Sequence, residues 1–250
     1  MAREETLAEL TAGRMPQRYL RNAGTIGVAG QLRLLRAKVA VIGAGGLGGH
    51  VIELLARQGV GCLLVMDGDC FTRHNLNRQI LATEENLGQN KAVAAAARVA
   101  AINSDVEVIA VPELLTSTNG SRWLAGSDVI VDALDSLNSR RILFQAAQTL
   151  AIPVVHGAIA GFTGQVATVF PGDAETSDLL FRQTGSDAGI ETRLGNPAAT
   201  PALAAALQAQ EAVKLITGIG QTLSGRLLYF DLEYNLFEII DMMGRCGTHA

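Results

Sequence analysis

Cysteine is scarce in this chain: Cys62, Cys70 and Cys246 are the three in 250 residues, and their spacing does not repeat. That excludes a disulfide framework and fits a cytoplasmic protein, with Cys62 expected in the core. Aromatic residues are only 4% of the chain, so the core must be aliphatic and Ala-rich, as in a parallel sheet covered by helices. Charged residues are also few, at 18%, with a net charge of −4 and no basic patch that would recruit nucleic acid. No apolar run reaches the roughly 20 residues needed to cross a bilayer, so no membrane partner is expected. The N-terminus is polar and charged, unlike a secretion signal. What remains is a hydrophobic content of 48%, ample for one large domain over residues 1–250.

Glycine is abundant where it matters. The run Gly43-Ala44-Gly45-Gly46-Leu47-Gly48 follows a strand-like Lys38–Ile42 and opens a helix-like stretch to Gly59. A second apolar strand, Cys62–Met66, ends on Asp67. Strand, glycine turn, helix, strand and acid, in that order, make a mononucleotide-binding βαβ unit. Gly43, Gly45, Gly46 and Gly48 allow a tight turn and close approach of backbone to a phosphate. The helix N-terminus offers free N–H groups and a partial positive charge to an anion. Asp67, 24 residues past Gly43, places a carboxylate near ribose hydroxyls.

Around this unit, residues 1–17 read as a polar lead-in and 18–37 as largely helical, interrupted at Gly24, Gly27 and Gly30. Asp69–Asn90 is polar and irregular in period, a long functional connection with short helical turns. An Ala-rich helix follows over 91–102. Strand patterns recur at 106–111, 129–132, 153–158 and 165–170, and 227–231 with 236–241 reads as an antiparallel pair. Residues 172–199 lack a period and read as a long loop, and 201–217 as a buried helix ending near Gly218. The fold class is α/β: a Rossmann-like, doubly wound, mostly parallel sheet continuing into antiparallel C-terminal strands, with helices on both faces.

The segment from Asp67 through Asp69 to Gln79 is denser in polar groups than a dehydrogenase needs. Asn75 and Arg78 are three apart, so one helical turn presents both on one face. Lys91 opens the next helix, where a cation opposes the helix dipole, which favours a ligand role over a surface one. Arg78 and Lys91 together supply two positive charges suited to a triphosphate. Asp135 follows the 129–132 strand at the carboxyl end, where such sheets bind ligands. A carboxylate there could hold Mg2+ bridging phosphates, and a helix N-cap is its alternative role. His50, His74 and His156 are read as core or surface residues.

Taken together these motifs resemble the MoeB/ThiF/HesA family of ubiquitin-activating-enzyme-like adenylyltransferases. The matching stretches are Arg18–Arg21, Gly43–Gly48, Asp67–Asp69, Asn75–Gln79, Gly88–Lys91, Asp132–Asp135 with Arg140, Gly164–Val166 and Leu207–Lys214, within residues 18 to 241. The resemblance implies that ATP is bound by the glycine turn with Asp67 on the ribose, Asn75, Arg78 and Lys91 on the phosphates, and Asp135 on magnesium, with Ser136 where Asn is common. It implies that Arg21 is donated across a homodimer to the partner's ATP. The implied reaction is adenylation of the C-terminal glycine of a small ubiquitin-like sulfur-carrier protein ending Gly-Gly, with a sulfur-donor enzyme as a further partner.

The chain also departs from that pattern. Many such proteins carry two C-x-x-C pairs for zinc. Neither pair is present, and three scattered cysteines cannot supply four thiolates, so no zinc site is expected. The central region also lacks the cysteine that some similar proteins use for a thioester. The competing readings are ATP activation of a modified tRNA base, a nucleotide-binding regulatory module, and an NAD-dependent oxidoreductase, which the Asp69–Lys91 segment disfavours.

Overall fold

The computed structural model describes residues 2–180 and 194–242. Its centre is an eight-stranded sheet in the order β3-β2-β1-β4-β5-β6-β7-β8. The strands are β1 (Lys38–Ile42), β2 (Cys62–Met66), β3 (Glu107–Val111), β4 (Val129–Asp132), β5 (Val154–Ala160), β6 (Thr163–Val169), β7 (Arg226–Asp231) and β8 (Leu236–Asp241). The pairings through β5 are parallel. Those from β5 to β8 are antiparallel. The mostly parallel sheet with an antiparallel C-terminal extension is therefore as the sequence implies.

The first two strands read as continuous apolar runs because both of their faces are buried. Along β1, Val39 and Val41 pack on one side while Ala40 and Ile42 pack on the other. On the first side lie α3 (Gly46–Gln58), α4 (Lys91–Ile102) and α8 (Ala199–Thr217), rich in Ala and Val. On the second lie α5 (Gly120–Leu124) and α6 (Leu137–Leu150), through Leu124, Leu143 and Phe144. An aliphatic, alanine-rich interior follows from the shortage of aromatics.

Local structure departs from the sequence reading in four places. The polar lead-in contains a helix, α1 (Ala2–Thr11), held by Thr6 on Asp105 at 3.1 Å and by the buried Leu10. Its apolar residues form no stripe, so periodicity does not reveal it. The 18–37 stretch is a 3₁₀ turn at Gln17–Asn22 followed by α2 (Ala23–Arg36), kinked where Gly27 adopts φ 64°. Helix α6 carries no sequence pattern that announces it, because its first turns, Asn138 to Arg141, are polar. Within 172–199 a short helix, α7 (Ala174–Leu180), is formed; the remainder to residue 193 lies outside the described residues, as does Cys246. Cys62 is half-buried and Cys70 exposed, both as free thiols.

Candidate nucleotide-binding site

The strand order reverses between β1 and β4, and doubly wound sheets open a ligand crevice at that switch point. A cleft lies there, at the carboxyl ends of β1, β2, β4 and β5. The turn after β1 forms its floor. Gly43 has φ 95°, a conformation that disfavours any side chain, and a Cβ there would meet Ala133 O at 2.6 Å. A Cβ on Gly48 would stand 1.8 Å from Gly43 O. These two glycines let the turn close on the helix and the β4 loop. Gly45 and Gly46 have more room, with nothing nearer than 3.5 Å, and line the cleft with Gly43. Gly48 lies outside the lining. The first amides of α3 have no intrahelical partner, so the helix presents donors to an anion here.

Asp67, at the end of β2, accepts the Ala44 amide at 2.7 Å and the Asp69 amide at 2.9 Å. Burial pushes its carboxyl above the usual carboxylate range, opposed by the Ala44 amide and by Lys91. The nearly buried Lys91 donates to Asp69 at 2.9 Å and stands 4.0 Å from Asp67. Asn90 caps the helix that carries it, accepting from the amides of Ala92 and Val93. Arg78 lines the cleft; its Nη1 donates to His74 O and to the Asn77 side chain. Asp135 is exposed and lines the opposite wall.

Other expected residues sit elsewhere. Asn75 is buried outside the lining, where its side-chain oxygen accepts the Thr72 amide and caps the 3₁₀ turn that leads to Arg78. Ser136, not Asp135, is the N-cap of α6, accepting from the Ser139 amide. Arg21 is exposed in the turn before α2 and does not line its own chain's cleft.

Several residues line the cleft that the sequence reading gave no role. Gln79 is buried beside Gly45, and its side-chain oxygen has no partner among the described residues. Asn196, brought in from before α8, has its side-chain oxygen buried and without a partner among the described residues, and accepts from Asn77 through its backbone. Orphaned polar atoms at a cleft are what a polar ligand would satisfy. Gln79 was legible as part of the Asn75–Gln79 motif; Asn196 stood in a stretch without pattern. Glu113, on the far wall, accepts from the indole N–H of Trp123 at 3.3 Å.

A glycine turn at the switch point, an acid closing β2 and two cations over one cleft define an α/β nucleotide-binding protein equipped to handle phosphates. The chain belongs to the ThiF family, matching it over residues 19–247. It is 39% identical over 217 residues to the SAMP-activating enzyme E1 of Haloferax volcanii, covering 86% of this chain and 80% of that one. It is likewise 39% identical over 214 residues to the sulfur carrier protein adenylyltransferase of Thermus thermophilus, covering 82% and 79%. A crystal structure of E. coli MccB with AMPCPP and MccA superposes with a TM-score of 0.78 at 23% identity, covering 90% of this chain and 71% of that one. At that identity the likeness is one of fold.

Proposed function

We propose that the protein is an adenylyltransferase that uses ATP to activate the C-terminal glycine of a small ubiquitin-like sulfur-carrier protein. A carboxylate oxygen of the carrier attacks the α-phosphorus. The bond from that phosphorus to the bridging oxygen breaks, and pyrophosphate leaves with the electron pair. A mixed acyl-phosphate anhydride remains for sulfur transfer by a donor enzyme. This chemistry asks for positioning and charge neutralisation. The observation that carries the reading is Lys91, nearly buried beside Asp67 and Asp69 and facing the same cleft as Arg78 and the N-terminus of α3. The ammonium and guanidinium would take the phosphate charge, while Asp67 and the glycine turn hold the nucleoside. The relatives named above support the carrier as acceptor.

Magnesium would be held by Asp135. Among the described residues no three acids, histidines or cysteines gather to hold a metal. That suits an ion that keeps several waters and shares the nucleotide's oxygens with one carboxylate. When bound it would supply further neutralisation of the phosphates. No zinc is required by this reading. The whole chain would act as one adenylation domain, in a cytoplasmic homodimer whose exposed Arg21 reaches the partner's cleft. The exposed apolar residues of β8, Phe237, Ile239 and Ile240, suit a protein partner better than a metabolite.

The test is exchange of labelled pyrophosphate into ATP, with magnesium and ubiquitin-like carriers ending Gly-Gly. Exchange is expected only with a carrier present. Asp135→Ala should lower it about 10²- to 10³-fold, the scale of a lost electrostatic contact to the transition state. No exchange with any carrier, alongside tight NAD binding, would return the protein to the dehydrogenase reading.

A further inference from the structure

A buried polar cluster lies directly beneath the β4–β5 wall of the cleft. Asp132 and His156 are register partners on these parallel strands. The fully buried Asp132 carboxylate lies 2.7 Å from His156 Nδ1, and its other oxygen accepts the Leu134 amide. Burial holds the His156 imidazole well below its usual protonation range, against the pull of Asp132. A neutral ring has one N–H, and a carboxylate can only accept, so that proton sits on Nδ1. Nε2 is then the acceptor facing the Gln165 amide at 3.4 Å. From α8, Gln208 donates to Asp132 O at 2.7 Å. Among the described residues the cluster's cation is Arg140, from α6. Its Nη2 donates to Leu134 O at 2.6 Å and to Gly157 O at 3.2 Å, and its Nε stands 3.4 Å from Asp132.

We infer that Arg140 is a substrate-binding residue that grips the carrier's terminal carboxylate, and that Asp132 and His156 are positioning residues that hold it there. This rests on the adenylation reading above. Arg140 lines the cleft beside Asp135 and Ser139, yet its Nη1 makes no hydrogen bond among the described residues and its Nε is buried without one. A guanidinium clamped at one corner by two carbonyls, with its buried Nε turned to Asp132 and its Nη1 N–H groups still unspent, is preorganised to receive a carboxylate at Nη1. The sheet order points to the acyl group rather than the nucleotide. The glycine turn, Asp67 and Lys91 belong to the β1–β2 side of the switch point. Arg140 is tied to β5 on the other side, where Ala158 and Ile159 continue the lining. Beyond β5 the sheet runs to the exposed apolar β8, so a folded partner resting there would feed its tail in past Arg140.

Pyrophosphate exchange with a ubiquitin-like protein ending Gly-Gly, with KM determined separately for carrier and for ATP, tests this. Arg140→Gln is expected to raise the carrier KM about tenfold or more and to leave the ATP KM within about twofold. His156→Asn keeps an N–H donor near the place of Nδ1 and is expected to stay close to wild type. His156→Leu removes that donor and should shift the carrier KM in the direction of Arg140→Gln. Fluorescence of Trp123, the single tryptophan, follows nucleotide binding independently. An unchanged carrier KM in Arg140→Gln, or an ATP KM that rises in step, overturns the proposal while leaving adenylation standing. Equal behaviour of His156→Asn and His156→Leu overturns the positioning role; should His156→Leu not fold, a His156→Asn carrier KM raised as far as that of Arg140→Gln does so. Wild-type protein without exchange on any carrier overturns both readings.

Discussion

Lys91 stands where a cation is least welcome, in the first turn of a helix and nearly out of water. Asp69 and Asp67 make that tolerable, and an entering phosphate would compete with them for the same ammonium. The acids and the lysine were each legible in the chain, but their pairing was not, since 22 residues separate Asp69 from Lys91. His156 has the opposite character, a titratable group held neutral. His50 is shifted the same way by burial, against the pull of Glu53. A depressed histidine means that the unfolded chain binds more protons at acid pH, so stability falls as pH drops below the ordinary histidine value of about 6.5. Glu53 adds a later loss. Burial raises its carboxyl, but bonds from Arg98 and Arg57 outweigh this and hold it low, so its contribution disappears only below the usual glutamate range. Denaturation midpoints across pH should therefore be level near neutrality and decline from about pH 6.5 downward. His156→Asn should decline less steeply between pH 6.5 and 5, with His50 supplying the remainder. Identical slopes for the two proteins would remove His156 from the account.

At the scale of elements, the glycine turn separates two requirements that the motif merges. Gly48 serves the packing of α3 on the turn, because any Cβ collides with Gly43 O. Gly46 faces the cleft, and a Cβ there would meet Pro201 at 3.5 Å, an ordinary van der Waals contact. Gly48→Ala is expected to cost about 3 kcal/mol or more, as other overpacked or strained sites do, and to lower Tm by many degrees. Gly46→Ala should keep a near-native Tm and lose nucleotide affinity, because its methyl occupies the approach to the α3 amides. Thermal unfolding with and without ATP distinguishes the two, and a Gly46→Ala protein binding ATP as tightly as wild type would remove this residue from the site. Strands β1 and β2 were legible because burial on both faces leaves an unbroken apolar run. Helices α1 and α6 were not, since long-range contacts such as Thr6 with Asp105 and Leu143 in the core hold elements whose own sequences are polar.

For the whole molecule, Arg21 is exposed and lies outside the lining of its own chain's cleft, which is what a two-fold assembly with shared sites would explain. Mixing Arg21→Ala with Lys91→Ala protein, each nearly inactive alone, tests it. In a mixed dimer one cleft regains both residues and the other has neither. Up to half the sites of each heterodimer should then recover pyrophosphate exchange. If subunits demonstrably exchange and no activity returns, Arg21 acts within its own chain or not at all. The apolar edge strand β8 belongs to the same scale: long exposed edges are aggregation hazards that proteins usually cover, which is consistent with a protein surface resting there.

By itself the sequence determined the βαβ unit, its glycine turn, the acid ending β2, the polar segment to Lys91 and the parallel-then-antiparallel order of strands. Each of these is written in neighbouring residues, whose backbone freedom and apolar runs act locally. Only the tertiary structure decided that Asn75 caps a turn, that Ser136 rather than Asp135 caps α6, that Asn196 reaches the cleft, and that Asp132, His156 and Arg140 form one cluster. Asp132 and His156 are 24 residues apart, and Asn77 and Asn196 are 119 apart. They meet through strand register and helix packing, which depend on how the whole apolar surface is buried rather than on any local pattern.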